Sequence, residues 1–129
     1  MKLLLDTQIF LWYISANKQL PASYYSAIRN PANDVFLSVA SLWEVTIKFH
    51  IGKLLLPQPP STYFPRQRQL HRITNLNIDE QSVQRLDFLP NLHRDPFDRI
   101  IICQAESHEL TLLTVDEAVR AYKIRMLST

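Results

Sequence analysis

The stretch KLLLDTQIFLWYIS, residues 2–15, decides the fold. Its apolar run does not alternate, and it stops on an acid just before a segment with helical spacing. A short continuous run of this kind reads as a strand buried on both faces, as in parallel sheets, because one wet face would have imposed alternation. Asp6 then stands at the strand's carboxyl end. ELTLLTVD, residues 109–116, has the same design and closes on Asp116.

Between these two lie DVFLS (34–38), a further strand, and ITNLNI (73–78), a short strand or extended link. The intervening segments are helical. PASYYSAIRN (21–30) has Pro21 near its start and is ended by the Asn30-Pro31 pair, while SVASLWEVTIKFHIGK (38–53) is closed by Gly52. DEQSVQRLDFL (79–89) is a helix that Asp79 can cap, and another runs from the HRDPFDRIIICQA segment (93–105) to about His108. LLLPQPPSTYFP (54–65) is proline-rich and reads as an irregular, semi-rigid connection, with RQRQLHRI (66–73) able to follow as a helix. Strands alternating with helices indicate an α/β domain with a mainly parallel central sheet and helices on both faces. At 129 residues the chain is expected to form one domain, residues 1–129.

The composition excludes several classes of function. The formal net charge of +2 is too small for a general nucleic-acid-binding surface, although arginines gather at RQRQLHR and HRDPFDR. A single cysteine, Cys103, forbids a disulfide framework and fits a reducing cytosol. No apolar stretch is long enough to span a bilayer, and the amino terminus meets an acid too early for a signal peptide. One glycine cannot build a Gly-rich phosphate loop, and the four histidines show no zinc spacing.

The acids remain. In open parallel sheets ligands bind beyond the carboxyl ends of the strands, where Asp6 and Asp116 are expected. Asp95 and Asp98, three apart around Pro96, share one face at a helix start. Glu44 fits a capping box with Ser41 and has Lys48 four residues on; Val39, Leu42, Trp43 and Thr46 would form the packing face, with Glu44 to its side. Trp12, Tyr13, Trp43 and Phe49 are expected mainly in the core. Each acid has a sound account as a helix or strand cap. Together they would repel one another unless a cation compensated them, and an all-oxygen set suits Mg²⁺ or Mn²⁺.

Four segments, LLLDT (3–7), SLWEVTIKFHIGKLLLP (41–57), LPNLHRDPFDRIIICQA (89–105) and LTLLTVDEAVRAY (110–122), together resemble the PIN-domain nucleases, in particular the VapC-like toxins of toxin–antitoxin pairs. The resemblance implies a three-layer α/β/α domain and a cytoplasmic, metal-dependent endoribonuclease that leaves 5′-phosphate and 3′-hydroxyl ends. It makes Asp6, Glu44 and Asp98 the acidic core with Asp116 as fourth acid. Asp95 supports or caps, and Thr7 and Thr114 steady the acids. It further implies a homodimer and a small antitoxin partner. Arg94, Arg99, Arg66 and Arg68 are candidates for phosphate contacts. A non-catalytic protein-binding module and a structure-specific DNA nuclease are the alternatives. Two positions depart from the family pattern: His108-Glu109 stand where a glycine turn is usual, and Gln8 where histidine is common.

Overall fold

The computed structural model describes residues 1–129. Its four strands are β1 (Lys2–Leu5), β2 (Asp34–Ser38), β3 (Thr74–Leu76) and β4 (Thr111–Leu113). They form one sheet in the order β3-β2-β1-β4, with Leu3 opposite Val35 on one side and Thr111 on the other. Every pairing is parallel, as the unbroken apolar runs predict. The chain winds outward from β1 through β2 to β3, then returns to the far side of β1 with β4. That reversal opens a crevice between the carboxyl ends of β1 and β4, next to Asp6 and Asp116.

The pleat of β1 explains the layers. Leu3 and Leu5 point into a cluster with Ile9, Phe10, Tyr24, Val45 and Phe64, while Leu4 points the opposite way, into one with Ile100, Ile101, Ile102, Cys103, Leu112 and Val119. Both faces of the strand are therefore dry from Leu3 to Leu5, and no polar residue falls between Lys2 and Asp6. Helices α1 (Thr7–Ile14), α2 (Ala22–Arg29), α3 (Val39–His50) and α4 (Pro60–Leu70) contribute to the first cluster. Helices α6 (Pro96–Ser107) and α7 (Glu117–Arg120) cover the second, and α5 (Glu80–Gln84) packs on α6. This is the expected three-layer α/β/α arrangement. Burial raises the pKa of the Cys103 thiol, as expected of an inert core cysteine.

Three local expectations are corrected. The proline-rich segment is not irregular throughout, because α4 begins at Pro60, where a missing N–H costs nothing and the fixed φ suits the first turn. Pro65 lies inside that helix, whose turn is held by Phe64 packing on Phe10 at 4.8 Å between ring centroids. The N-cap of α3 is Ser38, whose hydroxyl accepts the Ala40 N–H, so Ser41 and Glu44 form no capping box. The buried face of α3 is Ala40, Ser41, Glu44 and Val45, and Trp43 is 60% exposed. Its indole instead meets Phe97 edge-on. Asp79 caps α5 as expected, although that helix passes into a 3₁₀ turn at Arg85–Asp87.

Several helices end in a left-handed residue, but only Gly52 is free of the Cβ penalty that this conformation carries. Glu109 has φ of 54° and allows the Leu110 N–H to reach Ala105 O at 2.8 Å. The turn that usually carries glycine is thus formed by glutamate under strain. E109G should raise stability by about 0.5–1 kcal/mol, the relief of Cβ strain being partly offset by a freer unfolded chain. A higher urea midpoint with unchanged m-value is the expected reading.

Candidate active site

Of the five acids around the crevice, all but Glu44, which lies within α3, are placed by a helix start. Asp6 caps α1 by accepting the Ile9 N–H through Oδ1 at 2.8 Å, and Asp116 caps α7 by accepting the Ala118 N–H through Oδ1 at 2.9 Å. One oxygen of each is thereby fixed by a backbone N–H. Asp95 accepts from both Phe97 and Asp98 N–H groups at the head of α6, which sets Asp98 in the first turn. Capping and orientation are the same contact seen from two sides.

Asp6, Thr7, Glu44, Asp95, Asp98 and Asp116 line one cleft of about 390 Å³. A larger and more apolar cavity, about 600 Å³ beside Phe88, Leu92 and Tyr122, contains none of these acids. Polar chemistry is concentrated in the smaller one. The Thr7 hydroxyl lies 2.7 Å from Glu44 Oε1 and 2.8 Å from Ser41 Oγ; with one proton to give, it donates to the carboxylate and accepts from the serine. Glu44 Oε2 pairs with Lys48 at 2.8 Å, the i,i+4 partner expected. Both oxygens of Glu44 are thus engaged, which lets a charged residue stand at 6% exposure. Thr114 is fully buried and accepts the Asp116 N–H.

Burial dominates the titration of the two deepest carboxyls. Asp6 is pushed up to about 6, chiefly by desolvation and further by Asp98 and Asp116, with the Thr114 hydroxyl and Ile9 N–H opposing. Asp98 is likewise pushed up to about 6 by burial, then by Asp95 and Glu44, against the pull of His93. Lys48 is raised by its bond to Glu44. This donor set, carboxylates that are costly to ionise alone, fits a divalent cation in its chemistry.

Not every residue singled out in the sequence reaches the cleft. Arg99 is committed elsewhere: its guanidinium donates to Pro90 O at 2.9 Å and Tyr122 Oη at 3.0 Å, with longer contacts to His93 O and Leu89 O. It braces a loop and has little left for a phosphate. Arg66 and Arg68 lie on α4, and Arg94 is exposed, but none of the three lines the cleft. The cations that do are Lys48 and Lys53. Lys53 was not legible as a site residue; it is brought there by the Gly52 turn, where its N–H bonds Lys48 O. His93 was also missed. Its Nε2 is 2.8 Å from Asp98 Oδ2, a loop-to-helix pairing with no periodic signal.

The PIN domain family profile matches residues 3–124. The chain belongs to the PIN domain family. Over 52 residues it is 33% identical to Ribonuclease VapC16 of Mycobacterium tuberculosis, a match covering 40% of this chain and 37% of that protein, so it spans little over a third of that relative's length. VapBC2 from Rickettsia felis, solved bound to a DNA fragment from its promoter, superposes with a TM-score of 0.69 at 19% identity, covering 99% of this PIN chain and 98% of the other. A toxin-antitoxin complex from Klebsiella pneumoniae gives 0.60 at 21% identity over 97% and 95%. At these identities the structural likeness is one of PIN fold.

The raised carboxyls have a stability consequence. From about pH 4 to about 6 the folded chain retains protons at Asp6 and Asp98 that the unfolded chain has released, so the contribution of these groups falls as pH rises through that window. In chelator, wild type should therefore lose urea stability between pH 4.5 and 6.5 relative to D98N. Parallel curves for the two proteins would refute this.

Proposed function

We propose that this PIN domain is a Mg²⁺- or Mn²⁺-dependent endoribonuclease and the toxin of a toxin–antitoxin pair. The observation that carries the reading is the convergence of Asp6, Glu44, Asp98 and Asp116 on one cleft at the topological switch point. Asp6, Asp98 and Asp116, with Glu44 behind them, would hold the ion, which when bound supplies Lewis acidity toward a phosphodiester oxygen and a lowered water pKa. The chain's own part is to orient and to balance charge. The caps fix one oxygen of Asp6 and Asp116, Asp95 sets the first turn of α6, and Thr7 and Thr114 steady their neighbours. Lys48 and Lys53, which line the cleft, would hold phosphate oxygens of a bound strand. Hydrolysis in this sense leaves a 5′-phosphate and a 3′-hydroxyl.

A small antitoxin would cover the cleft. Trp43 and Ile47 on α3 and Ile51 at its C-cap are exposed at 60%, 41% and 59%, and the same helix brings Glu44 and Lys48 to the acids. These side chains offer an apolar anchor beside the site. A homodimer and a cytoplasmic setting complete the reading.

With Mn²⁺ present, wild type should cleave RNA and not flap DNA, and D98N should lose at least about 100-fold in rate, as when a transition-state charge stabiliser is removed. Absence of metal-dependent cleavage by wild type would favour a binding module, and equal cleavage of flap DNA a structure-specific DNA nuclease. In the D98N background, K53A should lower the slope of log affinity against log salt for single-stranded RNA by about 0.7. An unchanged slope would remove Lys53 from the phosphate track.

A further inference from the structure

We propose that His93 is a nitrogen donor to the divalent ion, held in place by Tyr122 and Arg99 as positioning residues. The inference rests on the metal-dependent reading above and adds a ligand to it. One histidine–carboxylate group in the chain, His93, Asp98 and Asp116, has a donor atom from each member within 4.8 Å of the others. Asp98 and Asp116 line the acidic cleft with Asp6 and Glu44, neither of which belongs to this group, and His93 joins it from outside the cleft lining through its contact with Asp98. His93 Nε2 and Asp98 Oδ2 are 2.8 Å apart, close to the roughly 3 Å that separates two donors at right angles about an ion bound at about 2.1 Å.

The alternative, a histidine that merely neutralises Asp98, leaves the surrounding construction unexplained. The backbone from Asn91 to Asp95 donates no hydrogen bond to any backbone carbonyl. Tyr122 Oη accepts the His93 N–H at 3.0 Å and also accepts from Arg99, which in turn donates to the carbonyls of Pro90 and, at longer range, His93. His93 is thus clamped through its own N–H and C=O, which fixes the base of the imidazole beside α6. The other histidines have different neighbours: His108 pairs with Asp79, His71 meets Tyr13, and His50 meets Phe49. In the ion-bound state Nε2 must present its lone pair, so the imidazole proton resides on Nδ1. A nitrogen donor also favours Mn²⁺ over Mg²⁺, since imidazole suits transition metals and Mg²⁺ demands oxygen.

Pulsed EPR of the Mn²⁺-loaded full chain tests this without an activity assay. Directly coordinated nitrogen should appear as ¹⁴N modulation, and biosynthetic labelling with [¹⁵N]histidine should convert it to the ¹⁵N pattern in the wild-type protein, with no substitution needed. H93A should abolish the modulation and weaken Mn²⁺ binding at least about tenfold, since loss of even an outer-shell partner costs 10- to 100-fold. Its Mg²⁺ affinity should fall less. Y122F should keep the nitrogen signal but weaken or broaden it, which a distant packing change would not do. Bound Mn²⁺ without histidine nitrogen coupling overturns the His93 assignment and leaves the metal-dependent reading standing. Failure of wild type to bind Mn²⁺ at all overturns both.

Discussion

Bringing several carboxylates together out of water is the constraint on which the rest of this structure depends. Asp6 stands at 6% exposure with Asp98 and Asp116 close enough to raise its pKa. Such a group stays ionised at a free-energy cost, and the chain offsets this with fixed dipoles: helix N-termini at Asp6, Asp95 and Asp116, and a lysine and a threonine on Glu44. Parallel topology supplies the helix starts. Every strand that ends at the crevice is followed by a helix whose unpaired N–H groups want an acid, so one geometry serves both capping and collection of negative charge.

The strands and their order of burial were legible because the relevant signal is local. LLL before Asp6 and LTLL before Asp116 report strands covered on both sides, and the structure covers them. Asp79, Gly52 and the Asp95-Pro96 start are equally local, since a cap concerns its own next residues. The face of α3 was not legible. Helical periodicity offers stripes, and only the neighbouring elements decide which is buried; here the end of the sheet and α1 accept Ala40, Ser41 and Glu44, while the larger Trp43 turns outward. The start of α4 was obscured because consecutive prolines break most helices yet suit the first turn of one.

The site itself divides in the same way. The acids could be gathered from their positions at strand ends and helix starts, and the structure brings Asp6, Glu44, Asp98 and Asp116 to one cleft. Their electrostatic partners could be read only where they shared a helix, as Lys48 does with Glu44. Lys53 and His93 arrive from loops, and Arg99, which reads as a phosphate ligand beside Asp98, is turned back on its own chain. Charge in a sequence does not reveal which way a long side chain reaches.

Arg99 has a wider consequence. From Asn91 to Asp95 the chain donates no hydrogen bond to a backbone carbonyl, and the carbonyls of Leu89, Pro90 and His93 converge on a single guanidinium that belongs to the helix that follows. The order of this segment is therefore borrowed rather than intrinsic, since one side chain satisfies three of its carbonyls. The entropy of arranging this segment is lost once, when the chain folds. A loop that would otherwise sample many shapes is thus held in one by a single side chain.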